Sequence, residues 1–349
     1  MDNASDRCLL FAQHRSDSTF EDIPVIDFSD VDTTDSLKRR ALVDQIRDAC
    51  INVGFFYIKN HKIPEDVITA AVEIGKTFFA LPEASKMDLD IRKTPNFKEY
   101  TALLGEKTDP NGKGKGDLHE GFDLGWEEID PNGVQKDTSR DDGAMSGSNV
   151  WPELPGFREI VLAYYHATIQ LGRSLFPLFA FALDLPENFF DDKTTKPAAI
   201  MRLLHYPSQE PAECDMDGQP IGIGAHTDYE CFTILWQDEI GGLQVKNNKG
   251  NWVDAVPIPA TVVVNLGDQF ARWTNDVFKS TLHRVINKSG KERYSIPLFF
   301  GTNYDVMLEP IPSCVSEDFP PKYEVVTAGE YVKSRLEATY SHSSVAPTF

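Results

Sequence analysis

His226 and Asp228 stand two residues apart in Gly222-Ile223-Gly224-Ala225-His226-Thr227-Asp228-Tyr229. In an extended segment, residues i and i+2 point to the same face, so both side chains can approach one ion. A third ligand has to come from elsewhere, and His283 is the candidate. It follows two turn-like stretches, Asn265-Leu266-Gly267-Asp268 and Thr274-Asn275-Asp276, and opens a strand at His283-Arg284-Val285-Ile286. Two imidazoles and one carboxylate on one face leave half of an octahedron open, a ligand set suited to iron(II) and oxygen chemistry. The same three side chains also make a hydrolytic zinc site, and a lone His-x-Asp is common in ordinary cores and surfaces. The triplet alone favours iron only narrowly.

Arg293-Tyr294-Ser295 lies ten residues past His283. Arg293 and Ser295 share a strand face, where a guanidinium fork and a hydroxyl can grip a carboxylate together. An isolated arginine is ordinarily a surface residue on an edge strand. Here Ile296, Leu298 and Phe299 are apolar neighbours, so an inward-facing arginine needs a permanent anion. A second carboxylic acid bound beside the metal provides one.

These residues need a scaffold, and the 349-residue chain is long enough for a substantial core. Lys and Arg number 34 against 54 Asp and Glu, a formal charge of −20. That excess argues against nucleic acid and membrane surfaces as partners, and it means that a site for a dianion has to be built locally. Cys8, Cys50, Cys214, Cys231 and Cys314 show no CxxC spacing, so reduced thiols in a cytoplasmic protein are expected. No basic segment followed by an apolar run opens the sequence, and no stretch approaches the roughly 20 apolar residues that span a bilayer.

Residues 1–22 read as a polar tail. The next region, 23–196, reads as a mixed helical part: an apolar piece Ile23–Phe28, a helix from Ser36 to Ile51, a strand Gly54–Ile58 and a helix from Pro64 to Ala80. Residues 92–150 are rich in Gly, Lys, Asp and Asn and read as a mobile lid or a plain surface loop, with a short strand at Phe122-Asp123-Leu124. A helix follows from Gly156 to Leu183, with Pro177 expected to kink it. From 197 to 310 the texture changes to short strands: Ala199–Tyr206, Cys231–Gln237, Gly242–Lys246, Thr261–Leu266, Leu282–Asn287 and Tyr294–Phe300. Their punctuation by Gly, Asn and Asp suits an antiparallel sandwich or jelly roll. Residues 311–349 supply a closing helix, Thr327–Tyr340, and a tail.

With these pieces in order, the chain resembles the isopenicillin N synthase-like branch of the Fe(II)/2-oxoglutarate-dependent dioxygenases, and within it fungal enzymes that oxidise small molecules. The resemblance runs over roughly residues 22–340. It is carried by Ile23–Phe28, Gly54–Ile58, Trp151-Pro152, His226-Thr227-Asp228-Tyr229, Gly241-Gly242-Leu243-Gln244-Val245, Asn265-Leu266-Gly267-Asp268, Lys279–Val285 and Arg293-Tyr294-Ser295. It implies an α+β fold with a double-stranded β-helix (jelly-roll) core flanked by helices. It further implies Fe(II) on His226, Asp228 and His283, and 2-oxoglutarate on Arg293 and Ser295 with help from the Tyr206 hydroxyl. Many plant relatives carry Asn two places before that tyrosine; this chain has Leu204, which makes the pocket more apolar there. The implied reaction consumes O2 and 2-oxoglutarate, releases succinate and CO2, and hydroxylates, desaturates or cyclises a small organic molecule of specialised metabolism, with ascorbate as an optional reductant. An iron oxidase of the same fold without 2-oxoglutarate, and a non-catalytic metal-binding or sensing protein, are the alternatives.

For the substrate pocket, Phe122, Leu124, Leu204, Phe232, Phe299, Phe300 and Tyr304 are the candidates, each also a candidate for the core. Gly75-Lys76-Thr77 reads as helical rather than phosphate-binding, and Gly222 and Gly224 as a tight turn before the ligands. Asp268 reads as a turn residue, Arg284 as a structural contact, His119-Glu120 as a solvated pair and His205 as a packed strand residue.

Overall fold

The structure, a computed structural model, describes residues 19–93, 98–109, 116–127, 148–208, 221–287 and 289–341. Its elements run β1 Val25–Asp27, α1 Ser36–Asn52, β2 Phe55–Lys59, α2 Glu65–Phe79, α3 Glu83–Met87, β3 Glu99–Thr101 and β4 Glu120–Leu124. Then come α4 Phe157–Ala182, β5 Ala199–Tyr206, β6 Ile221–His226, β7 Phe232–Gln237, β8 Leu243–Lys246 and β9 Trp252–Asp254. The chain ends with β10 Thr261–Leu266, α5 Asp268–Trp273, β11 His283–Ile286, β12 Arg293–Phe300 and α6 Ala328–Ser341.

Local chemistry accounts for the helix starts. Asp35 caps α1 by accepting from the Leu37 and Lys38 amides. Pro64 precedes α2, whose first turn carries Glu65 and Asp66 against the positive end of the helix dipole. Pro177 is accommodated inside α4 rather than ending it.

The strands form two facing sheets, one ordered β1-β2-β10-β7-β12-β5-β4-β3 and one ordered β6-β11-β8-β9. All pairings are antiparallel except β1 with β2. This is the expected jelly-roll core with flanking helices. Strands β1 to β4, from the N-terminal half, extend the larger sheet on both sides.

Alternation along each strand of the larger sheet separates two interiors. One set of residues packs beneath the helices: Phe122 and Leu124 on β4, Met201 and Leu203 on β5, Phe232 and Ile234 on β7, Ile296, Leu298 and Phe300 on β12. The alternate set, including Leu204, Tyr206, Leu235 and Val263, faces the smaller sheet together with Ile223, Val245 and Val285. The functional residues belong to this second interior.

Two expectations about loops change. Gly222 and Gly224 lie within β6 rather than in a turn. A Cβ on Gly222 would come 2.8 Å from Tyr206 Cδ1, and one on Gly224 2.8 Å from Asp109 Cβ, so these positions need room for close approach. The described parts of 92–150 are not plain surface either: Thr101, Glu106, Asp117, His119 and Glu120 are all buried. Residues 94–97, 110–115 and 128–147 lie outside the described residues. Cys8 and Cys214 do as well, whereas Cys50, Cys231 and Cys314 are buried free thiols.

Candidate active site

His226 closes β6 and His283 opens β11, and the pairing of these strands sets the two residues opposite each other. Their ring centroids are 4.3 Å apart. Asp228, just beyond the end of β6, places Oδ1 3.6 Å from Nε2 of each histidine. Ligating atoms of all three lie within 4.8 Å of one another, and no other such group of three occurs among the described residues.

Each ligating atom is left available by what holds the rest of its side chain. His226 Nδ1 is 2.8 Å from the Gly224 carbonyl and His283 Nδ1 is 3.0 Å from the Thr281 carbonyl. A carbonyl can only accept, so both Nδ1 atoms carry the hydrogen and both Nε2 lone pairs face Asp228. Asp228 Oδ2 accepts from Thr233 on β7 and from Asn265 Nδ2 on β10 at 2.6 Å, leaving Oδ1 for the histidines' side. Burial opposes charge on Asp228, but in the metal-free site His283 and His226, when protonated at Nε2 as well, overcome it and hold the carboxyl well below the usual range. Phe55 packs edge-on against the His283 ring.

Gly267 keeps the ligand loop in place. A Cβ there would collide with the Glu230 carbonyl oxygen and lie 2.9 Å from that of Asp228. Gly267→Ala is expected to cost about 1–3 kcal/mol through overpacking and to weaken metal binding by displacing Asp228. Chelator competition and thermal unfolding measure the two effects. Undiminished metal affinity would show that the loop gives way elsewhere.

Arg293 opens β12 and is fully buried. Nε donates to the Gly241 carbonyl at 2.6 Å, Nη1 to Ser295 Oγ at 3.1 Å and Nη2 to Gln237 Oε1 at 3.2 Å. Its guanidinium lies over the Tyr206 ring, 4.6 Å from the centroid. Burial raises the Tyr206 hydroxyl pKa, with Arg293 and Ser295 pulling against it. All of these partners are neutral. A fully buried guanidinium with neutral partners and unused N–H groups is the environment that an anionic ligand completes.

One cavity joins the three parts: it is lined by His226, Asp228 and His283, by Arg293, Ser295 and Tyr206, and by a further wall that includes Ile200, Arg202, Leu204 and Phe299. Of the seven pocket candidates, Leu204 and Phe299 line it. Phe122, Leu124, Phe232 and Phe300 do not; they belong to the core beneath the helices, where Phe122 packs on Phe78 and Phe157, and Phe300 stacks on Phe232. Tyr304 clusters with Ile200 and Leu336, which do line the cavity, but does not line it itself.

The same wall contains charged residues that no sequence motif singles out. Arg202 on β5 is clasped by Glu106 and Asp123. Burial works against the Glu106 carboxylate, yet Arg202 and His119 hold its pKa below the usual range. At Asp123 burial wins over Arg202, with Glu106 adding to it, and the carboxyl is pushed up to about 6. Glu230, beside the triad, is buried without compensation and is pushed up to about 8. His119 and Glu120 are not a solvated pair. His119 Nδ1 donates to the Gly222 carbonyl, and Glu120 joins Lys86, Tyr100 and His205 on the far side of the sheet. Gly75-Lys76-Thr77 sits inside α2. Arg284 lies over Trp252. Asp268 does more than shape a turn: it accepts from Ser280, Thr227 and Tyr331, tying α6 to the ligand segment.

Residues 23–154 match the family model described as non-haem dioxygenase in morphine synthesis N-terminal, and residues 197–302 match that of the 2OG-Fe(II) oxygenase superfamily. The chain is 39% identical over 325 residues to the 2-oxoglutarate-Fe(II) type oxidoreductase hxnY of Emericella nidulans, covering 92% of this chain and 91% of the relative. It is 34% identical over 341 residues to homoarginine-6-hydroxylase 2-ODD-C23.1 of Arabidopsis thaliana, covering 92% and 98%. Among solved structures, a full-length Neurospora crassa protein in complex with alpha-KG and thymine superposes with a TM-score of 0.78 at 30% identity, covering 90% and 96%. The chain belongs to the 2OG-Fe(II) oxygenase superfamily. It is an Fe(II)- and 2-oxoglutarate-dependent dioxygenase. Among the described residues no helix is long and apolar enough to cross a membrane.

Proposed function

We propose that His226, Asp228 and His283 hold the Fe(II), that Arg293 with Ser295 and Tyr206 binds the distal carboxylate of 2-oxoglutarate, and that the remaining cavity takes a small organic substrate. The observation that carries this reading is the buried Arg293, hydrogen-bonded only to neutral groups, in the same cavity as three convergent ligands with free Nε2 and Oδ1 atoms. When bound, Fe(II) and 2-oxoglutarate supply the oxidising chemistry that turns O2 and the oxo acid into succinate, CO2 and an oxidised substrate. The protein's own residues do three things. Thr233 and Asn265 orient the Asp228 carboxylate, the carbonyls of Gly224 and Thr281 fix the imidazole tautomers, and Arg293 sets the co-substrate's direction by a charge-assisted fork.

Specialised metabolism in the cytoplasm is the setting we favour. It is supported by the fungal relatives and by the acidic surface, which disfavours membranes and nucleic acid. A small polar substrate is in keeping with relatives that are named for homoarginine hydroxylation or captured with thymine. The oxidase reading without 2-oxoglutarate leaves Arg293 with no hydrogen-bonded anion. Adding Fe(II) and then 2-oxoglutarate to metal-free protein under anaerobic conditions is expected to give a weak visible charge-transfer band. The band requires both components and vanishes in His283→Ala. Iron binding with no such band would move the oxidase reading to first place.

A further inference from the structure

A capping box starts α6: the Thr327 hydroxyl accepts from the Glu330 amide at 3.1 Å, and Glu330 Oε2 accepts from the Thr327 amide at 3.0 Å. From there Ala328, Tyr331, Val332, Arg335 and Leu336 recur at helical spacing and form one face. Ala328 and Val332 are buried, while Lys333, Ser334 and Glu337 are exposed. The inner face meets the loops that carry the metal ligands. The Ala328 carbonyl accepts from Gln269 Nε2 at 3.3 Å, the Gly329 amide donates to the Tyr304 carbonyl at 2.9 Å, and the Tyr331 hydroxyl donates to Asp268 Oδ2 at 3.1 Å. The Arg335 guanidinium lies over the Tyr229 ring, 4.8 Å from its centroid, with Nη2 3.7 Å from Asp268 Oδ2. Asp268 also accepts from Thr227, which stands between His226 and Asp228, and its amide donates to the Asp228 carbonyl at 2.8 Å. Helix and ligand segment therefore share one anchor. Val332 and Leu336, one turn apart, line the cavity, and Leu336 clusters with Ile200 of its wall.

We infer that α6 sets the size of the substrate. Val332 and Leu336 are specificity-determining residues that touch an alkyl or aryl portion of it, and Arg335 is the positioning residue that holds them at a fixed reach from the metal. Apolar surface on a cavity wall favours an apolar group that fills the space, and a packed wall gives way little to one that is too long. The inference rests on the reading of this cavity as the oxygenase's substrate site.

The test is isothermal titration calorimetry of n-alkanols, from n-butanol to n-decanol, on the full chain loaded with Fe(II) and 2-oxoglutarate without oxygen. Wild-type affinity is expected to rise about fourfold per methylene up to a limiting length and then to stop rising. Leu336→Ala takes an isopropyl group from the wall and moves that limit out by about two methylenes. Leu336→Trp moves it in. Arg335→Gln blurs the limit, and Arg335→Lys, which keeps a cation over Tyr229, restores it. A limit that stays in place in Leu336→Ala overturns the inference, and so does the absence of alkanol binding to the wild-type protein. Leu336→Ala decides the matter even where Leu336→Trp does not fold. An unchanged limit in Arg335→Gln overturns the positioning role. A separate titration of the wild-type protein with 2-oxoglutarate distinguishes the two levels. Its failure overturns the proposed site, whereas intact 2-oxoglutarate binding with an unmoved limit overturns only the role of α6.

Discussion

Asp228→Ala is expected to abolish iron-dependent succinate release and to lower iron affinity by more than the ten- to hundredfold typical of losing a ligand's outer hydrogen-bond partner. The carboxylate is the one anionic member of the triad, and its Oδ1 stands 3.6 Å from both imidazole Nε2 atoms. Alanine removes that charge and leaves the Thr233 hydroxyl and the Asn265 amide without their acceptor. A graded comparison separates these effects. Thr233→Val takes away one donor to Oδ2 while keeping the ligand, so it should weaken iron only within the outer-partner range. Chelator competition measures affinity, and succinate release measures turnover. Full turnover in Asp228→Ala would refute the ligand assignment, whatever the thermal stability of the variant.

The parts of the site that could be read from the sequence are those whose geometry is local. His226 with Asp228, and Arg293 with Ser295, are i and i+2 pairs on or beside one strand, and two-residue periodicity suffices to place them together. His283 needed strand pairing, which β6 and β11 supply, and the turn punctuation before it gave only the strand's start. Leu204 and Phe299 line the cavity, whereas Phe122, Leu124, Phe232 and Phe300 do not, because apolar character alone carries no strand parity. Once Arg293 and Ser295 face the cavity, Pro297 and Phe299 must follow them, and Phe300 must point the other way, under the helices. The same rule at β4 puts Asp123 towards the cavity and Phe122 and Leu124 away from it. At β5 it puts Arg202 inside, and this would have exposed the Arg202 cluster as a polar patch between apolar neighbours. Glu106, His119 and Glu230 come from irregular segments. There no period applies, and only the folded chain shows their burial.

Arg293→Leu is expected to raise the KM for 2-oxoglutarate by two to three orders of magnitude while leaving iron affinity close to that of the wild type. Removing one partner of a buried ion pair costs about 3–5 kcal/mol, and every 1.4 kcal/mol is about a factor of ten in affinity. Arg293→Lys keeps the charge but loses the planar fork and the stacking over Tyr206, so its KM should rise by less. The sign of the stability change is a second readout. Without 2-oxoglutarate the wild-type protein buries a guanidinium whose partners, Gly241, Ser295 and Gln237, are all neutral. Leucine removes a buried charge that only Asp238 offsets, at a distance beyond hydrogen bonding, although it strips Gly241, Ser295 and Gln237 of a donor. The ligand-free variant should therefore unfold at a temperature no lower than the wild type, and adding 2-oxoglutarate should raise the wild-type melting temperature but not the variant's. An unaltered KM, or an equal stabilisation of both proteins by 2-oxoglutarate, would mean that the co-substrate's carboxylate is held elsewhere and that Arg293 serves the fold.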